Sequence, residues 1–130
     1  MIVVDSCALV DLALGGDEVG AWVAEQVMGV ERLAAPHVVD VEMLGACRSL
    51  ERRGIVSPAA AREALETLSE VPVDRYPHPP LKERMWELRH HVTAADAAYV
   101  ALAEALDVPL VTTDRRLSGT HGTDCQIVAP

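Results

Sequence analysis

IVVDS (Ile2–Ser6) opens the chain with three β-branched apolar residues, a carboxylate and a hydroxyl. A run this short, apolar at every position, reads as a parallel strand buried on both faces and ending at Asp5. LVTTD (Leu110–Asp114) repeats the pattern after Pro109, an apolar pair followed by hydroxyls and then an acid. Two separate strands each deliver an acid to one rim of a sheet, the pattern of a parallel α/β fold.

After the first strand, Ser6 is expected to cap a helix through Leu14 that Gly15-Gly16 breaks, and Asp17 to open a second helix through about Met28. Leu33–Ala35 reads as a strand stopped by Pro36. Val38–Arg53 carries Val39, Met43, Cys47 and Leu50 on one helical stripe before Gly54. Ser57-Pro58 opens a helix over Ala59–Ser69, and Val71–Val73 reads as a strand. Pro79-Pro80 introduces a helix over Leu81–His91, Thr93 caps one over Ala94–Leu106, and the last strand falls at Gln126–Val128. Strands alternating with helices predict a three-layer α/β/α fold around a parallel sheet of about five short strands. A chain of 130 residues makes one domain over 1–130. Open α/β sheets hold their sites at the carboxyl ends of strands, so that edge is where function is expected.

Half the residues are hydrophobic, but Phe is absent and aromatics make up only 3%, so the core must be built from Val, Leu and Ala. Three scattered cysteines (Cys7, Cys47, Cys125) without a Cys-x-x-Cys pair argue for buried thiols in a reducing compartment. The opening lacks a basic n-region and its apolar run stops at Asp5, unlike a signal peptide. The expectation is a soluble cytoplasmic protein. The net charge of −9 has the wrong sign for holding nucleic acid by a general electrostatic footprint. It leaves open an enzyme whose clustered acids are neutralised by bound cations.

Glu42 and Asp96 join Asp5 and Asp114 as candidates. Glu42 lies in the first turns of the helix after the Leu33 strand and borders its core-facing stripe; Asp96 is in the first turn of the Thr93-capped helix. Each acid has an ordinary structural explanation. Asp5 could end a strand, Thr93-x-x-Asp96 is a capping box, Asp114 could cap the turn Arg115–Ser118, and Glu42 could be solvated. Together, around one rim, four carboxylates would repel one another and titrate upward unless cations neutralise them. Oxygen ligands without His or Cys suit Mg²⁺ or Mn²⁺. Two such ions would balance the four charges and are suited to in-line phosphodiester hydrolysis. Asp11, Asp17, Asp40, Asp74 and Asp107 lack a comparable placement.

Other chemistries fail on residue type. No lysine follows a glycine, as a P-loop requires; position 7, where a D-x-D phosphatase needs its second acid, is Cys; and no G-x-S-x-G elbow is present. His90 and His91 are adjacent and point apart on a helix, while His121 and Cys125 lack partner ligands for zinc. Trp22 and Trp86 read as packing or interface residues, with an apolar patch for dimerisation near Ala21–Met28.

These residues, in this order, resemble the PIN domain, most closely the compact VapC-type toxins of toxin–antitoxin pairs. The resemblance runs from IVVDS (Ile2–Ser6) through Glu42 and TAADA (Thr93–Ala97) to TTD (Thr112–Asp114). It implies a five-stranded parallel sheet and an Mg²⁺- or Mn²⁺-dependent endoribonuclease site. Asp5, Glu42, Asp96 and Asp114 match the acidic quartet, with Ser6 and Thr112 as supporting hydroxyls. It further implies an RNA substrate (tRNA, mRNA or rRNA), a homodimer, and a cognate antitoxin whose tail blocks the site. Cys7 stands where a second Ser or Thr is common, Leu117 replaces an aromatic, and a further acid beyond Asp114 is missing.

Lys82 is the only lysine, so positive charge is almost all arginine. Arginine's planar fork suits phosphate, and Arg115 and Arg116 beside Asp114 are the candidates for RNA contact, ahead of Arg48, Arg52 and Arg53. Two other readings stand beside the nuclease. A receiver-like signalling module would need a lysine after a late strand. A catalytically silent partner would use its acids only to attract a basic peptide.

Overall fold

The computed structural model describes residues 1–130. Five strands, β1 (Ile2–Val4), β2 (Leu33–Pro36), β3 (Val73–Tyr76), β4 (Leu110–Val111) and β5 (Ile127–Val128), form one sheet in the order β3-β2-β1-β4-β5. Every neighbouring pair is parallel. The helices are α1 (Ser6–Leu14), α2 (Glu18–Val27), α3 (Val39–Arg52), α4 (Pro58–Glu70), α5 (Lys82–Glu87), α6 (Ala94–Leu106) and α7 (Arg115–Ser118). From β1 the chain steps outward to β2 and β3, then returns past β1 to β4 and continues to β5. Right-handed crossovers put α1–α4 on one face and, after the reversal, α5 and α6 on the other. The contacts agree: α1 packs on α2, α3 and α4, whereas α6 packs on α5 and across β1, β2 and β4. The α/β/α expectation therefore holds.

The central strands are apolar because both faces are covered. Val3, Val4, Ala34, Ala35, Leu110 and Val111 are all buried, as are Val39, Met43 and Cys47 on the predicted stripe of α3. Truncating a fully buried leucine such as Leu102 to alanine would cost about 2–5 kcal/mol. Gly15 ends α1 at φ 58°, where a side chain is disfavoured. Gly20 lets α2 approach α1 closely, since a Cβ there would sit 2.7 Å from the Asp11 carbonyl oxygen.

Several local expectations are corrected. The third strand lies at Val73–Tyr76 instead of Val71–Val73. It is an edge strand, so only part of it must be apolar, and its Asp74 and Arg75 pair with Arg32 and Asp40. The helix expected over Leu81–His91 is broken: α5 covers Lys82–Glu87 between 3₁₀ turns at Pro79–Leu81 and Leu88–His90. Asp5, not Ser6, caps α1; it sits in extended conformation and its Oδ1 accepts the Ala8 N–H at 2.8 Å. Of the cysteines only Cys47 is buried, with Cys125 half-buried and Cys7 exposed. Trp22 packs against the core, so the exposed large apolar side chains include Met28, Val41, Leu44, Ile55 and Trp86. No helix is long and apolar enough to cross a membrane.

Candidate active site

The sheet reverses its winding between β1 and β4, the position where open α/β sheets leave a crevice beyond the strand ends. Val4 is in register with Val111, so the next residues, Asp5 and Thr112, meet side by side. The Asp5 N–H donates to the Val111 carbonyl at 3.1 Å. The buried Thr112 hydroxyl donates to Asp5 Oδ2, and its oxygen accepts the Asp114 N–H at 2.9 Å. One threonine thus ties the first and fourth acids of the predicted quartet to the same point.

Glu42 reaches this edge from α3. That helix has no side-chain cap of its own; instead the Val38 N–H at its start donates to His78 Nε2 at 3.0 Å. The Glu42 carboxylate accepts a 2.6 Å hydrogen bond from the Tyr99 hydroxyl. Tyr99 is 1% exposed, one helical turn beyond Asp96 on α6. Its phenol is held in the protonated form by burial first, then by the Glu42 hydrogen bond and charge, with the Asp5 charge adding to it and Ser6 opposing. Residue-level reading missed Tyr99 because it fell inside an Ala-rich apolar stretch. Its available signal was a phenol one turn after a candidate acid.

Asp96 follows the predicted cap, with the Thr93 hydroxyl oxygen accepting its N–H at 3.2 Å. It lines a cavity of about 430 Å³ together with Asp114, Arg116, Arg89 and Thr93; Asp5 and Glu42 lie outside that lining. Electrostatics link the two groups. The Asp5 carboxyl is pushed up to about 6, first by burial and further by the charges of Glu42 and Asp96, against the lowering effect of Thr112 and Ala8. The Cys7 thiol is pushed up to about 12, first by desolvation and then by Asp5, Asp114, Asp11 and Glu42. The charges of Glu42 and Asp96 thus reach Asp5, and those of Asp5, Asp114 and Glu42 reach Cys7.

The ordinary structural roles are filled as well. Asp5 and Asp114 cap α1 and α7, and the Asp114 Oδ1 accepts the Arg116 N–H at 2.9 Å. The Arg116 guanidinium grips the same carboxylate through Nε at 3.1 Å and Nη2 at 2.7 Å. That hydrogen bond, foremost, holds the Asp114 carboxyl below its ordinary value. Arg115 is exposed beside it. No three His, Cys, Asp or Glu side chains stand arranged to hold a metal ion. The donors are nevertheless hard oxygens, and the like charges raising Asp5 are what a divalent cation would relieve. In donor chemistry the residues fit Mg²⁺ or Mn²⁺. Their observed partners, Arg116 on Asp114 and Tyr99 on Glu42, show which contacts would have to be shared or exchanged. Lys82 begins α5 after a 3₁₀ turn and does not directly follow a late strand, the placement a receiver-like module needs.

Comparison with known proteins agrees with this architecture. The PIN domain family model matches residues 2–121. Ribonuclease VapC9 of Mycobacterium tuberculosis is 44% identical over 127 residues, covering 98% of this chain and 96% of the relative. Ribonuclease VapC1 of the same organism is 45% identical over 126 residues, covering 96% and 94%. The crystal structure of PAE2754 from Pyrobaculum aerophilum superimposes with a TM-score of 0.72 at 30% identity, over 97% of this chain and 81% of that one. With the family model over residues 2–121 and near full-length relatives in accord, this chain belongs to the PIN domain family, among the VapC ribonucleases.

Proposed function

We propose that this chain, acting as one domain over residues 1–130, is an endoribonuclease dependent on Mg²⁺ or Mn²⁺ and the toxin of a toxin–antitoxin pair. The observation that carries the reading is the junction of β1 and β4. There Thr112 joins Asp5 to Asp114, and burial first, with the charges of Glu42 and Asp96 adding to it, pushes the Asp5 carboxyl up to about 6. Relatives named as ribonucleases at 44–45% identity supply the substrate class.

In this reading Asp5, Glu42, Asp96 and Asp114 are the cation ligands. Bound there, the cation would supply activated water and charge stabilisation for the leaving oxygen. The chain's own contribution is orientation. Thr112 and the Ala8 N–H fix both oxygens of Asp5, and Tyr99 fixes Glu42. Such supporting hydrogen bonds keep ligands aimed and tune their basicity. Arg116 neutralises Asp114 in the absence of substrate, and with Arg115 it offers forked donors for RNA phosphates. A cognate antitoxin that blocks the site, a homodimer and a cytoplasmic location complete the proposal, in line with the family resemblance.

Asp96→Asn tests it. Asp96 is half-buried and lies at the cavity, so the substitution is expected to leave thermal unfolding unchanged while abolishing Mn²⁺-dependent cleavage of pooled tRNA. Full cleavage by the variant would refute the assignment.

A further inference from the structure

Trp86 on α5 is 68% exposed in a chain that has only two tryptophans and no phenylalanine. The Arg89 guanidinium lies over its ring, 4.6 Å from the centroid. Arg89 Nη1 also donates to the Trp86 carbonyl oxygen at 2.8 Å, which holds the pair in register. The pair lines a cavity of about 530 Å³ with Lys82, Met85, Val92 and Thr93, and no Asp or Glu borders it. Arg89, Val92 and Thr93 also line the cavity that holds Asp96 and Asp114. One trough therefore runs from an open indole to the acidic rim, with Arg89 at the junction and His90, His91 and Arg116 along its inner part.

We propose that Trp86 and Arg89 form a binding station for an unpaired nucleotide of the RNA substrate, beside the cleavage site. This rests on the ribonuclease reading above and names where its substrate is gripped. Single-stranded nucleic acid is held by aromatic faces that stack bases and by cations that follow the backbone. Both are present here, pre-assembled, in a chain whose net charge of −9 otherwise repels RNA. An exposed tryptophan also suits a protein interface. Continuity with the acidic rim, and Lys82 and Arg89 as the only charged residues lining the outer cavity, favour RNA.

Two measurements on the full chain test the station. In cleavage of pooled tRNA, Trp86→Ala raises KM by at least about fivefold, the weak end of one base–aromatic stack, with kcat within about twofold. Trp86→Phe restores most of the loss. In EDTA, titration with a 12-residue oligouridylate quenches Trp86 emission saturably in the Trp22→Phe protein. If that variant does not fold, the wild-type quench that disappears in Trp86→Ala gives the same reading. Cleavage at wild-type KM by Trp86→Ala, or emission that changes with protein concentration or an added basic peptide but not with RNA, overturns the station and leaves the ribonuclease standing. Quenching by RNA without any cleavage overturns the ribonuclease and retains the nucleic-acid contact.

Discussion

The Tyr99 hydroxyl donates a 2.6 Å hydrogen bond to Oε2 of Glu42, fastening α6, which crosses the sheet, to α3, which leaves β2. Tyr99→Phe keeps the ring and deletes this donor. Glu42 is half-buried, so water can replace part of the loss, and stability is expected to fall by about 1 kcal/mol in urea unfolding. Cleavage is expected to fall more, by roughly tenfold or beyond, because a freed carboxylate no longer holds its orientation. A variant that unfolds more easily but cleaves at the wild-type rate would reduce Tyr99 to a packing residue.

Thr112→Val should be the more damaging change. Valine fills the same space, yet it leaves Asp5 Oδ2 and the Asp114 N–H without their partner at a fully buried position. The expected cost is about 2–4 kcal/mol in denaturant midpoint analysis. Losing a donor to its charged form also raises the Asp5 carboxyl further. Stability equal to wild type would show that the threonine does not join the two strand ends.

The pair Arg84–Glu104 lies away from the acidic rim and separates fold from site. Arg84 donates through Nε at 2.6 Å and Nη2 at 3.1 Å, and Glu104 also accepts the Asp124 N–H at 2.8 Å. Burial alone would raise the Glu104 carboxyl, but the Arg84 hydrogen bond, the Asp124 N–H and the Arg84 charge together lower it. A lowered carboxyl stabilises the fold above its unfolded pKa and loses that contribution as pH falls through the folded value. Glu104→Gln is therefore expected to cost about 1–2 kcal/mol at neutral pH, with the gap from wild type closing in acid. RNA cleavage, corrected for folded fraction, should not change. A constant gap at all pH values would contradict the ion-pair account.

Much of this arrangement was legible from residue types because the central strands are buried on both faces. Ile2–Val4, Leu33–Pro36 and Leu110–Val111 had to be apolar, and each is bounded by an acid, a proline or hydroxyls. The edge strand Val73–Tyr76 was misplaced because its Asp74 and Arg75 answer Arg32 and Asp40 across the surface, a relation invisible along the chain. The break after α5, at Leu88–His90, falls without glycine or proline, so no residue type along the chain marks it. At the rim, acids could be picked out by their position after strands. Tyr99 could not, since its role depends on Glu42, 57 residues away. Trp86 reads along the chain as a packing or interface residue, and the fold removes only the packing half by leaving it open beside Arg89.

If the proposed site is right, one cation reports on four side chains distant in the chain. Paramagnetic Mn²⁺, added well below equimolar to protein labelled at its side-chain carboxyl carbons, is the direct probe. The resonances of Asp5, Glu42, Asp96 and Asp114 should broaden together and ahead of Asp40, Asp74 and Glu104, none of which belongs to the proposed ligand set. Broadening scattered over the surface acids, with the four strand-end and helix-start carboxyls untouched, would contradict it.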